Sequence, residues 1–115
     1  MSGDFLGEAS TRLRERVAQV VTGRRPDLGG GAGFAWPGTG LLVTNAHVAT
    51  AARVTVVTPD GRGAPGEVVR HDPHRDLALV RAPKASLQPV AVADPASLRP
   101  GALVLAVGHP FGILQ

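Results

Sequence analysis

Apolar residues occur in short bursts separated by glycine, proline and charge, and their period changes near Val17. Before it, Phe5, Leu6, Ala9 and Leu13 fall on one face at helical spacing with charges opposite. A helix is predicted from about Asp4 to Arg16, with Ser2 or Asp4 able to cap its start. The β-branched run Val17–Thr22 then suits a strand. Past a loop rich in Gly, Arg and Pro (Gly23 to Gly31), the chain reads as consecutive short strands: Ala32–Trp36, Leu41–Thr44, Arg53–Thr58, Gly66–Arg70, Asp76–Arg81 and Ala102–Val107. Pro37-Gly38-Thr39-Gly40 and Pro59-Asp60-Gly61 supply hairpin turns. Short strands at close turn spacing predict a sandwich or a barrel rather than a parallel sheet.

Composition agrees with that pattern. With 15 Gly and 10 Pro, turns are frequent and elements short, and 43% apolar against 18% charged residues describes a globular chain. A length of 115 residues allows one domain, burying roughly two thirds of its unfolded surface. The net charge of +3 is spread over single and paired arginines without interleaved aromatics, which argues against a nucleic-acid surface. No cysteine is present, so thiolate chemistry and sulfur-ligated metals are excluded. Charged residues interrupt the N-terminal segment before it reaches signal-peptide length, and no run has the length of a membrane span. A cytoplasmic chain is the expectation from these residues.

The chemistry concentrates in Thr44-Asn45-Ala46-His47-Val48 and, 29 positions after the histidine, Asp76-Leu77-Ala78-Leu79-Val80. An imidazole titrates near neutrality and can take a proton from a hydroxyl and return it to a leaving amine. A carboxylate on its other nitrogen fixes the tautomer and stabilises the cation, and Asp76, opening an apolar run, is the best-placed candidate. Taken singly, each residue is as readily a polar loop side chain. None of the four serines, Ser2, Ser10, Ser86 and Ser97, is flanked by glycine on both sides as a nucleophile segment requires; Ser2 has Gly3 on one side only. His71 and His74 flank Asp72 at a spacing that invites a metal, but Pro73 between them opposes a helical pair. Gly29 to Gly33 lacks the Lys-Ser/Thr of a phosphate loop.

In combination, Leu41–Val48, the spacing to Asp76, His71-Asp72-Pro73, Asp60-Gly61-Arg62, Gly31-Ala32-Gly33-Phe34 and Val107-Gly108-His109-Pro110-Phe111-Gly112 resemble the trypsin-like serine peptidases. The nearest match is their bacterial HtrA/Deg-like branch, over about Val17 to Gly112. In chymotrypsin-like enzymes the triad runs His, Asp, Ser along the chain. The resemblance makes His47 the general base and Asp76 the orienting acid. It gives Asp72, the competitor for the second role, a structural part in the turn, and His109 a structural part as well. Ala32 stands where serine is commoner in the family.

The resemblance implies an all-β fold: a six-stranded antiparallel barrel spanning 17–115, the first half of a double barrel, preceded by the helix within 1–16. It implies a serine endopeptidase acting on polypeptides through an acyl-enzyme, without metal or cofactor. The family's Gly-Asn-Ser-Gly-Gly nucleophile segment and specificity pocket have no counterpart in these residues, so the second barrel is expected to be absent and the chain inactive alone. The rival reading is a non-catalytic peptide-binding or assembly module that takes up an extended peptide on an edge strand. Homo-oligomer formation is left open, and so is an envelope location, where members of that branch often act.

Overall fold

The computed structural model describes residues 5–23 and 30–108. Helix α1 (Phe5–Arg14) leads into β1 (Val17–Thr22), β2 (Gly31–Ala35), β3 (Leu41–Thr44), β4 (Arg53–Val57), β5 (Gly63–Asp72) and β6 (Leu77–Arg81). All neighbours are antiparallel, and the order β1-β2-β3-β6-β5-β4 closes through β4 on β1. The turn spacing allowed a sandwich or a barrel, and the structure is the six-stranded antiparallel barrel that the family resemblance implied.

The turns act as their residues dictate. Gly38 and Gly40 take φ values of 73° and 68°, the left-handed region that glycine enters freely, between β2 and β3. Between β4 and β5, Thr58 and Asp60 close the Pro59-Asp60-Gly61 turn: the Thr58 N–H reaches the Arg62 carbonyl at 3.0 Å and the Thr58 hydroxyl donates to Asp60.

Alternation puts Ala18, Val20, Leu42, Val54, Val56, Ala78 and Val80 into one buried cluster. Its largest fully buried side chains are only the valines Val20, Val56 and Val80, so the strands must approach closely. Gly66 on β5 permits this, since a Cβ there would stand 2.8 Å from Val80 Cγ1 and 3.0 Å from Val54 Cγ2. A register shift between Val68 and Arg70 marks a bulge on β5, a feature that bends a strand and increases its twist. The strand runs from Gly63 to Asp72, longer at both ends than the Gly66–Arg70 expected from its residues, because β4 pairs with its first half and β6 with its second.

Two expectations are corrected. Ala102–Val107 forms no strand, and Leu103 and Val104 are 79% and 74% exposed. Each strand of the closed ring already has two neighbours, so the barrel has no edge left for a seventh. Helix α1 ends at Arg14 rather than Arg16 and buries no residue; Phe5, Leu6 and Leu13 are exposed because the barrel closes without it. The caps at Ser2 and Asp4, most of the loop after Gly23, His109 and the Pro110-Phe111-Gly112 segment lie outside the described residues. Among the described residues, no helix is long and apolar enough to cross a membrane.

Candidate active site

At the end of β3 the chain makes a single turn in which buried and outward residues alternate. Thr44 is buried and its hydroxyl donates to the Ala32 carbonyl on β2 at 2.8 Å. The Asn45 carbonyl accepts from the N–H groups of Val48 and Ala49, both at 3.1 Å, which closes the turn. Ala46 and Ala49 are buried, while the His47 side chain is 70% exposed. Val48 packs where Gly31 begins β2, and its carbonyl accepts the Thr22 hydroxyl at 2.8 Å.

The β5–β6 hairpin brings the carboxylate. Its turn, Pro73 to Asp76, closes with the Asp76 N–H on the Pro73 carbonyl at 3.2 Å. Asp76 is the last turn residue rather than the first strand residue, and takes φ 56°, the only positive φ at a non-glycine among the described residues. Asp is among the few residues with a side chain that enter this region with any ease.

Both carboxylate oxygens of Asp76 are spent on His47. Oδ1 accepts the His47 backbone N–H at 2.9 Å, and Oδ2 lies 2.7 Å from ring Nδ1. An ionised carboxylate only accepts, so Nδ1 carries the proton and the Nε2 lone pair is left available. Among the described residues nothing bonds Nε2. Asp72 has a different occupation: it accepts from the Arg75 N–H at 3.2 Å and pairs with the Arg75 guanidinium at 3.1 Å. The structure thus brings His47 and Asp76 together and leaves Asp72 with the turn.

Two contributors were not evident in the sequence. The Asn45 amide donates to the Asp76 carbonyl at 3.0 Å, and His71 Nε2 lies 3.0 Å from the Ala46 carbonyl. The only signal for Asn45 is its place inside the histidine segment, and the signal from His71 is its spacing from His74, which points elsewhere. No serine hydroxyl among the described residues contacts His47, and that of Ser97 donates to the Asp94 carbonyl at 2.7 Å.

The His47 N–H and then its ring, as hydrogen-bond donors, hold the Asp76 carboxyl below its ordinary value. The Thr58 hydroxyl, followed by the Arg62 N–H, does the same for Asp60. A depressed native pKa stabilises the fold above the unfolded value, about 3.9 for Asp. That contribution is lost as pH falls through the lower native value. Melting curves should therefore be insensitive to these groups from about pH 5 upward and decline below about pH 4. Asp76→Asn should flatten part of that acid decline; an unchanged decline in the double variant with Asp60→Asn would contradict the assignment.

Residues 31–115 match the family model described as a trypsin-like peptidase domain. The chain is 40% identical over 88 residues to Protease Do-like 1, chloroplastic, of Arabidopsis thaliana, covering 74% of this chain and 20% of that protein. Against Serine protease PepD of Mycobacterium tuberculosis it is 39% identical over 117 residues, 89% of this chain and 25% of the relative. The solved structure of HtrA-type protease AlgW with tripeptide superposes with a TM-score of 0.79 at 29% identity, covering 95% of this chain and 36% of that one. The chain spans only a fifth to a quarter of the length of these curated relatives.

Proposed function

The chain belongs to the trypsin-like peptidase domain family, with HtrA-type serine proteases as relatives, and on that premise we propose that it is the histidine- and aspartate-bearing barrel of a serine endopeptidase acting on protein substrates. The observation that carries this reading is the 2.7 Å contact of Asp76 Oδ2 with His47 Nδ1, made while Oδ1 holds the same residue's N–H.

In this reading His47 is the general base. Its Nε2 takes the proton of a serine hydroxyl as the oxygen attacks the scissile carbonyl, then returns it to the leaving amine. Asp76 keeps the proton on Nδ1 beforehand and stabilises the imidazolium formed during the step. The acyl-enzyme is released by water, activated by the same nitrogen. The attacking serine and the oxyanion-stabilising N–H groups are supplied by a second barrel, as no serine in these 115 residues has the required setting. The tripeptide that accompanies AlgW in its solved structure supports polypeptides as the substrate class.

The rival binding-module reading has less to draw on. Every strand of the ring has two neighbours, so an extended peptide finds no edge strand along the barrel.

The test is hydrolysis of casein. The 115-residue chain should give no turnover above background, because both nucleophile and oxyanion hole are lacking. A polypeptide continuing into a nucleophile-bearing barrel should cleave casein and lose that activity on His47→Ala. An extended protein whose activity survives His47→Ala would overturn the reading.

A further inference from the structure

We propose that Asn45 is a positioning residue whose amide fixes the backbone of Asp76 and so aims the carboxylate at His47. The proposal deepens the reading of His47 and Asp76 as base and orienting acid, and rests on it.

Asp76 has a φ of 56°. A residue with a Cβ reaches this conformation against steric resistance, and glycine would fill the position with least strain. Such conformations persist where the surroundings over-determine them. The surroundings here act on both sides of the Cα. The Asp76 N–H, part of the peptide plane before it, is held by the Pro73 carbonyl at 3.2 Å. The Asp76 carbonyl, part of the plane after it, is held by Asn45 Nδ2 at 3.0 Å. With both planes pinned, φ and ψ are set and the Cα–Cβ bond has one direction. The side chain then needs only its own rotamer to place one oxygen on the His47 N–H and the other on the ring.

The Asn45 side chain has no duty nearer home that would explain it. An asparagine opening a turn ordinarily accepts the N–H two or three residues on. The N–H two residues on, that of His47, is instead taken by Asp76 Oδ1. The two loops therefore exchange caps across 31 residues of sequence: Asn45 donates to the Asp76 backbone while Asp76 accepts from the backbone beyond Asn45. The carbonyl partner also sets the amide orientation, since only the NH₂ group can face it.

The test uses the 115-residue chain itself. Carbon-detected NMR follows the Asp76 carboxyl through acid titration, and proton NMR follows the His47 Nδ1–H. In Asn45→Ala the Asp76 midpoint should rise toward the ordinary carboxylate value, with the Nδ1–H signal broadened by exchange. Asn45→Asp, which presents an oxygen to the Asp76 carbonyl, should do at least as much. An asparagine that merely supports the fold would lower the melting temperature and leave both readouts of the folded chain unchanged; that result overturns the proposal.

A second measurement needs no variant. In the unsubstituted chain, a through-hydrogen-bond coupling between Asn45 Nδ2 and the Asp76 carbonyl carbon should be detectable, and its absence would also overturn the proposal. None of these readouts uses turnover. A failed casein test with the Asn45 effects intact would therefore count against the catalytic reading alone.

Discussion

Asp76→Asn should lower kcat about 10⁴-fold, with little change in KM, in a polypeptide that joins this barrel to a nucleophile-bearing one. The size follows from which atom must face which. Asp76 Oδ1 accepts the His47 backbone N–H at 2.9 Å, so an asparagine must keep its carbonyl oxygen there. Its NH₂ group then occupies the site of Oδ2, 2.7 Å from ring Nδ1. A donor at that point requires Nδ1 to accept, which moves the ring proton to Nε2. Nε2 then has no lone pair for the serine proton. The geometry survives and the base is lost, so substrate binding is spared while the chemical step fails. His47→Ala should cost more, on the order of 10⁶-fold, and the double variant little more than His47→Ala alone, because the two side chains act as one unit. Steady-state kinetics on a peptide substrate checks this; a loss below tenfold in Asp76→Asn would remove Asp76 from the orienting role.

Much of this arrangement was legible in the sequence because it depends on local pattern. Alternating valines, hairpin turns with glycine at positive φ, and a histidine at a strand end each announce themselves within a few residues. What depends on partners did not. Ala102–Val107 has the composition of a strand, yet strand formation needs a free edge, and closure of β4 on β1 leaves the ring without one. The helical periodicity of α1 specifies an apolar stripe without specifying what covers it, and Phe5 remains 55% exposed. Asp76 reads as the first residue of an apolar strand, whereas the turn from Pro73 makes it the last turn residue at φ 56°. The bond from Asn45 to Asp76 spans 31 residues, so no window of local sequence contains it. The side chains that carry the proposed chemistry were visible; the contacts that hold them in place were not.

Gly31→Ala, a single added methyl group, should destabilise the barrel by about 1–3 kcal/mol through overpacking and loosen the site with it. A Cβ at Gly31 would overlap Val48 Cγ2 and lie 3.2 Å from Cγ1 and 3.3 Å from Cβ of the same valine. Val48 has little freedom to withdraw. Its β-branched side chain is stiff at χ1, its N–H is held by the Asn45 carbonyl at 3.1 Å, and its carbonyl is held by the Thr22 hydroxyl at 2.8 Å. Relief must come from movement of the turn itself, and the next residue in that turn is His47. Each kcal/mol corresponds to roughly 4–8 °C in melting temperature for a domain near this size. The Asp76 carboxyl should also titrate closer to its ordinary value as its bonds to His47 lengthen. Removing the obstacle tests the cause: in Gly31→Ala/Val48→Ala the new methyl occupies space the valine has vacated. The double variant should recover stability relative to additivity by about 1 kcal/mol or more, as expected for residues in contact. Gly63→Ala is the control, its Cβ meeting only Thr55 Cγ2 at an ordinary 3.5 Å. A Gly31→Ala chain that melts with the unsubstituted one, or a cost that Val48→Ala leaves untouched, would show that the glycine is not what seats the histidine turn against β2.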